Sequence, residues 1–467
     1  MKRTWLKLFL TILMLFPIGI AQAQEGQPDG PVYIVQAGDN LWGISQRFGV
    51  SIDELASKND LSDPGQLTIG MQLVIPGLDG LQGVLTTQDI PFGESLWSLS
   101  RRYEIPLGLM VRLNKYTSPE STAAGSSLIL PEPDDEEKSL LPQGDRVTLE
   151  SQQSLLEVSI LHGTNPWDIM SRNELTSVWE ALPGETLHFP GDHPGPGALP
   201  DTISMALADD LPEIQGQTLS IKLSAPPDMI LRGEITGKQL NFFLDEDNIW
   251  KAIQGIHVML EPGYYPLTLN GSLPDGTDFS FSQIVYVSDG NYPYDPPLAV
   301  DSVTVEIENT TQEDLMWKEI VSPVTPERLW TGIFSSPVPA VYSDCFPSKF
   351  GHRRSYNGSN YDFFHSGLDF CGQIGTDIYA PADGVVVFTD PVIVRGNATV
   401  IDHGWGVYTA YGHQSEILVN VGDQVEKGQL IGRVGETGRV SGPHLHWEVI
   451  AGGVQVDPLQ WLAREFP

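Results

Sequence analysis

Residues of the segment 32–76 recur in order and without a gap further along the chain, which makes most of residues 32–190 copies of one small fold. A shift of 55 carries Gly38, Leu41, Trp42, Ser45, Arg47, Asn59, Gly70, Leu73 and Pro76 onto Gly93, Leu96, Trp97, Ser100, Arg102, Asn114, Gly125, Leu128 and Pro131. A shift of 114 brings a fainter copy: Leu155, Ser159, Gly163, Asn173, Gly184, Leu187 and Pro190 stand for Leu41, Ser45, Gly49, Asn59, Gly70, Leu73 and Pro76. Each copy reads as a short apolar strand, a turn, an amphipathic helix, a second helix and a closing strand. The expectation is three βααβ units, at 32–77, 83–132 and 146–191.

GDNLWGI and the closing LVIP make the first copy resemble a LysM module. The resemblance implies binding of N-acetylglucosamine-containing glycan between the turn Gly38, Asp39, Asn40, Leu41 and the loop Leu67, Thr68, Ile69, Gly70. Copy two has Glu94 where copy one has Asp39. Copy three has lost the turn glycine to Gln152 and the tryptophan to Leu156. Trp42 and Trp97 read as core residues of their helices. EPDDEEK (132–138) reads as a solvated acidic linker.

Beyond the Gly/Pro-rich break 191–197 the period changes to two. TLSIKLSA, GIHVMLEP and QIVYVSD are among several short β-prone runs, so 201–290 is expected to be an immunoglobulin-like β-sandwich acting as a spacer. His257 stands there alone, as a core or surface residue. Residues 301–340 read as a connector docking onto the last domain. Within it, 309–330 is partly helical, with Thr310 or Thr311 as N-cap and Pro323 ending the pattern.

Of ten histidines, six (His352, His365, His403, His413, His444 and His446) fall in the final quarter. Clustered imidazoles with a carboxylate suit zinc. SGPHLHWEV continues into a β-prone run, so His444 and His446 share one strand face while Leu445 enters the core. In HSGLD, Ser366 and Gly367 let the chain bend so that His365 and Asp369 grip one ion. Three protein ligands leave a fourth position open, as catalytic zinc sites do.

HSGLD, YGH and HLH, in that order, make residues from about Phe350 to Leu462 resemble the lysostaphin-type (LytM-like) zinc peptidoglycan endopeptidases. The resemblance implies one Zn2+ held by His365, Asp369 and His446. It makes His413 and His444 the catalytic histidines that do not ligate the metal, without saying which is the general base. It implies an antiparallel-β metallopeptidase domain at 341–467 acting on peptide cross-links of peptidoglycan. His403 reads as supporting a turn and His352 as lying on an exposed loop. Arg353 meets an acidic substrate group or solvent, and Tyr361, Trp405 and Tyr411 line a groove or pack the core. Cys345 and Cys371 form one disulfide pinning the loop into the site, or are two structural thiols.

Residues 1–23 read as a secretory signal: Lys2, Arg3 and Lys7, an apolar run from Leu8 to Ile20, then Ala21-Gln22-Ala23. The formal net charge of −34 speaks against a nucleic-acid partner and suits an exported protein, extracellular, periplasmic or wall-associated. Two other readings exist. One is a binding protein whose degenerate peptidase domain activates another hydrolase. The other is a carrier domain, because VNVGDQVEKGQLIG around Lys427 resembles a biotinyl or lipoyl hairpin. The fold class expected is multidomain and mainly β: LysM modules, an Ig-like sandwich and a terminal metallopeptidase domain.

Overall fold

The computed structural model describes residues 30–467 apart from 62, 64–66, 79–80, 91–95, 97–98, 101–102, 104, 116–122, 133–144, 150–152, 174, 182–185, 191–202, 208–210 and 277. Outside the described residues lie the leader 1–23, Gly93, Glu94, Trp97, Arg102, Gln152, Gly184, the acidic linker after Glu132 and the break 191–197. The chain is mainly β and divides into two compact units, Met1–Val84 and Leu85–Pro467. Among the described residues no helix is long and apolar enough to cross a membrane.

In the first unit, strands Val32–Ile34 and Gln72–Val74 pair antiparallel, with Tyr33 opposite Leu73. Helix Leu41–Phe48 starts where the Asn40 side chain accepts the Gly43 N–H at 2.8 Å, and it ends at Gly49 in the left-handed conformation. Helix Ile52–Lys58 starts in a reciprocal Ser51–Glu54 capping box. Leu41, Ile44 and Phe48 form the buried face at i, i+3 and i+7. Trp42 is one step off that face and 64% exposed, so the core role expected for it is wrong. Leu156, its counterpart in the third copy, is exposed too.

One side chain records the repeat. The Asn59 amide donates to the carbonyls of Leu55 and Val74, both at 2.8 Å, and accepts the Val74 N–H at 2.7 Å. Asn114 makes the same bonds to Met110 and Ile129, and Asn173 to Ile169 and His188. In each copy the bracket ties the second helix to the closing strand. That is why an asparagine recurs at both offsets. In copy two the closing strand Ser127–Pro131 pairs with Val84–Asp89, and in copy three Thr186–Phe189 pairs with Asp145–Thr148.

Residues 204–288 form two sheets around one core. Five strands run in the order Lys238–Leu240, Ile230–Ile235, Gly263–Ser272, Asp278–Ser288 and Glu213–Ile214; four run Phe242–Leu244, Ile249–Gly255, Thr218–Ser224 and Ser204–Leu207. Leu219, Ile221 and Leu223 point inward at alternate positions to meet Leu267, Leu269, Phe281 and Val285. This sandwich packs directly on the terminal domain. The Asp457 N–H donates to the Gly216 carbonyl at 2.7 Å, the Trp461 indole donates to Thr218 at 3.1 Å, and Phe243 stacks on Trp405.

The terminal domain is built on an antiparallel sheet of β1 (Leu368–Cys371), β2 (Gly384–Val392), β3 (Gly396–Asp402), β4 (Val407–Gly412), β5 (Gln424–Val425), β6 (His444–Ala451) and β7 (Val454–Val456). Its order is β1-β6-β4-β3-β2-β5, with β7 also paired to β6. Leu445, Trp447 and Val449 of β6 enter the main core with Phe370, Tyr411, Ile378 and Ile431. Truncating a fully buried tryptophan such as Trp447 costs about 3–5 kcal/mol. The opposite face of the sheet carries Tyr408, Ala410 and Ile450 against helix α1 (Ile307–Ile320), whose Trp317 meets Phe388 edge-on.

Helix α1 begins earlier than expected, so neither Thr310 nor Thr311 is its cap. Glu306 is the N-cap residue, and the Thr310 hydroxyl bonds back to the Glu306 carbonyl within the first turn. The short helix α2 (Pro458–Ala463) starts at the Asp457 cap and buries Trp461. The Lys427 Nζ donates to the Ile333 carbonyl at 2.7 Å.

Candidate active site

The site is assembled by strand register. Within the sheet, β6 runs between β1 and β4, with Asp369 opposite His446 on one side and Gly412 opposite His446 on the other. His413 follows Gly412 and takes a left-handed conformation, φ 61°, uncommon for a residue with a Cβ. Two bonds hold it there: its N–H donates to the Arg395 carbonyl and its Nδ1–H to the Thr437 carbonyl, both at 2.7 Å. Gly367 bends the chain between His365 and Asp369. A Cβ there would sit 2.4 Å from the Trp447 carbonyl oxygen and 2.9 Å from the His446 ring, so no side chain fits.

His365 Nε2, Asp369 Oδ1 and His446 Nδ1 form a triangle with edges of 2.9, 2.9 and 3.0 Å. All three side chains are buried. The outer nitrogens have partners: His365 Nδ1–H donates to the Lys349 carbonyl at 2.8 Å, and His446 Nε2–H donates to Glu448 Oε1 at 3.1 Å. The two inner nitrogens are thus the lone-pair atoms, facing a carboxylate oxygen. Such a donor set calls for a cation, and two imidazoles with one carboxylate fit zinc.

The electrostatics agree. Burial lowers the His365 pKa to about 4, keeping that ring neutral. Burial opposes the charge on Asp369, yet His365 and His446 hold its carboxyl well below the usual range. Burial would also depress His446, but the neighbouring carboxylates of Asp369 and Glu448 raise it. His413 is pushed well below the ordinary histidine value by burial, and further by His446 and His444.

His413 and His444 stand beside the triangle, their rings 4.8 Å apart and His413 5.8 Å from His446. His444 Nδ1–H donates to the Gly442 carbonyl at 2.8 Å, leaving Nε2 3.6 Å from Asp369 Oδ2. The five residues read from the histidine motifs therefore meet at one place. It opens into a cleft of about 860 Å³ lined also by His257, Asp295, Arg354 and Arg439.

The structure departs from expectation at His352 and Arg353 and also places the remaining residues. His352 is half-buried and bonded to Asp295 at 2.8 Å, because its segment pairs as a strand with Phe363–Phe364. Arg353 turns away from the cleft to the Val258 carbonyl, and it is Arg354 that approaches Asp369, at 3.9 Å. Trp405 and Tyr411 are core residues, while Tyr361 donates to the Asp295 carbonyl at 2.8 Å. His403 is fully buried between the Asp383 carbonyl and Thr409. Cys345 and Cys371 are bonded, with Cα atoms 5.4 Å apart, and this ties the segment carrying Lys349 to β1.

The sequence reading passed over a buried charge network. Glu448 takes the Arg395 Nε–H at 2.8 Å, and Arg395 Nη1 reaches Glu313 on α1 at 3.1 Å. Arg395 also lies 4.3 Å from the Trp317 ring centroid. Glu448 was legible, since period two places His444, His446 and Glu448 on one face.

In the first unit, Asp39 accepts the Tyr33 hydroxyl at 2.7 Å and the Gln36 N–H at 2.8 Å. Asn40 is a helix cap and Leu41 is buried. Side chains of that turn are thus spent internally, whereas Thr68, Ile69 and Gly70 are exposed and Leu67 is half-exposed.

Residues 363–458 match the model of Peptidase family M23, and residues 33–76 and 92–131 match that of the LysM domain. The chain carries an M23 peptidase domain and two LysM domains. Over 96 residues it is 49% identical to the peptidoglycan DD-endopeptidase ShyA of Vibrio cholerae serotype O1, which is 21% of this chain and 22% of the relative. Over 111 residues it is 39% identical to ShyC of the same organism, covering 24% and 26%. The chain thus spans about a quarter of the length of these relatives. A crystal structure assigned to peptidase M23 from Pseudomonas aeruginosa is similar over 54% of this chain and 96% of its own, at 26% identity and a TM-score of 0.42.

Proposed function

We propose that the chain is an exported zinc endopeptidase that hydrolyses peptide cross-links of bacterial peptidoglycan and is held to wall glycan through LysM. The observation that carries this is the convergence of His365 Nε2, Asp369 Oδ1 and His446 Nδ1, with His413 and His444 beside them. The matches of three segments to the Peptidase family M23 and LysM domain models support the substrate class.

His365, Asp369 and His446 would hold the ion. The chemistry it supplies when bound is Lewis acidity, which polarises a carbonyl and makes water nucleophilic near neutral pH. The chain's own residues then move protons. Because His413 and His444 both donate from Nδ1 to backbone carbonyls, each offers Nε2 to the cleft. His413, kept neutral by burial, is equipped to accept a proton at Nε2 from the attacking water or to steady the developing oxyanion once protonated. His444 shares the same space and serves the same exchange with the leaving amine. Each such transfer contributes roughly 10²- to 10⁴-fold.

Glycan contact in the first LysM domain falls to the backbone of Gly38–Leu41 and to the exposed loop Leu67–Gly70. The test is mass spectrometry of fragments released from defined peptidoglycans, with and without a chelator. Muropeptides with cross-links cut at an amide bond, and no release once chelated, are expected. Cleavage of the glycan backbone instead, or cleavage indifferent to the chelator, refutes the reading.

A further inference from the structure

The two LysM domains hold the same loop in different surroundings. In the first, the Gly70 N–H donates to the Val35 carbonyl at 2.9 Å and the Met71 N–H to the Thr68 carbonyl at 3.0 Å. Shifted by 55, the same bonds recur in the second: Gly125 to Ile90 at 2.8 Å and Ser126 to Ala123 at 3.0 Å. The loops therefore share these turn bonds, and Gly70 and Gly125 share a positive φ of 85° and 84°.

Their surroundings are opposite. Ile69 is 74% exposed, and a Cβ added to Gly70 meets nothing within 4 Å. Ala124, the counterpart of Ile69, is 0% exposed, and so is Ala123. The Ala124 N–H donates to the Ile284 carbonyl at 3.0 Å, and its carbonyl accepts the Tyr286 N–H at 2.9 Å. This parallel bridge adds the loop to the sandwich strand Asp278–Ser288. A Cβ on Gly125 would lie 2.8 Å from Pro212 Cα.

We infer that the second LysM domain has exchanged glycan contact for a joint. Its loop 123–126 is spent on the sandwich, and the first LysM domain does the glycan binding. This rests on the glycan reading given under the proposed function. The residue types agree with the division. A large apolar side chain stands where a sugar ring needs a face to lie against. Alanines stand where a backbone must lie flat on a strand.

The matched glycines provide the test, using the full chain. Gly70→Ala and Gly125→Ala impose the same strain at positive φ, but only the second collides with the sandwich. Hydrogen exchange of the peptide spanning residues 283–287 is expected to quicken at least tenfold in Gly125→Ala and to stay unchanged in Gly70→Ala. Unchanged exchange in Gly125→Ala overturns the joint. In parallel, binding of an N-acetylglucosamine pentasaccharide is measured by calorimetry. It should be lost in Ile69→Asp and kept within twofold in Gly125→Ala. Binding that survives Ile69→Asp, or that falls with Gly125→Ala, overturns the assignment. If the unaltered chain binds no pentasaccharide, the glycan reading itself fails, and the exchange experiment still decides whether the joint exists.

Discussion

His446 and Glu448 lie two residues apart on the same face of β6, and the imidazole Nε2–H donates to the buried carboxylate across 3.1 Å. Arg395 at 2.8 Å, the Ser366 hydroxyl at 3.0 Å and the Trp317 indole at 3.3 Å fix that carboxylate in turn. The bond selects the tautomer with its lone pair on Nδ1, the atom aimed at Asp369. Replacing Glu448 by glutamine keeps the shape but removes the charge. Zinc affinity is expected to drop roughly 10- to 100-fold. Competition with a chromogenic chelator reads this directly, and an unaltered affinity in a folded variant rejects the positioning role.

Separate duties for the two histidines of HLH predict separate losses. His446→Ala should abolish both zinc binding and cleavage. His444→Ala should retain zinc and lose roughly 10²- to 10⁴-fold in turnover. Metal content and turnover are measured on the same preparations. Turnover at the original rate in either variant removes that residue from its role.

How much of this was legible depended on the range of the interactions. The clustering of the candidate site could be read because it obeys short periods: His444 and His446 are two apart on a strand, and His365 and Asp369 flank a glycine that alone fits the bend. The repeat could be read because one asparagine bracket constrains a helix and a strand fifteen residues apart, identically each time. Trp42 was misjudged because a helix of eight residues has a narrow buried stripe, and Leu41 already occupied it. The link of Glu313 to Arg395 was invisible, since 82 residues separate them and no local pattern joins them. Arg353 and Arg354 could not be told apart, because their pairing with Phe363–Phe364 decides which one faces the cleft.

Cys345 and Cys371 close a loop with a sequence separation of 26. Loop-closure entropy of that size is worth about 3–4 kcal/mol in the chain-entropy account. That loop carries Ser348 and Lys349, which hold His365 Nδ1 at 3.2 and 2.8 Å. The double variant Cys345→Ser/Cys371→Ser should therefore unfold at lower denaturant and bind zinc more weakly. Equilibrium unfolding and chelator competition measure the two effects. Loss of stability with unchanged zinc affinity would confine the bond to a purely structural duty.

Acid should destabilise the protein through a histidine that touches no candidate ligand. His403 is fully buried, its Nδ1–H donating to the Asp383 carbonyl at 2.7 Å, and burial lowers its pKa from 6.5 to about 4. Below about 6.5 the unfolded chain takes up a proton that the folded protein refuses until about 4, so stability falls on acidification across that window. His365 has the same sign and the same window. His446 has the opposite sign, because its raised value adds stability that is present in acid and lost as pH rises. The depressed carboxylates of Asp369 and Glu448 matter only further down, as pH falls below their ordinary range. Denaturant midpoints of the metal-free chain should decline from pH 7 to pH 4.5, and His403→Gln should flatten part of that decline. An equally steep decline in the variant would show that His403 is not one of the groups driving it.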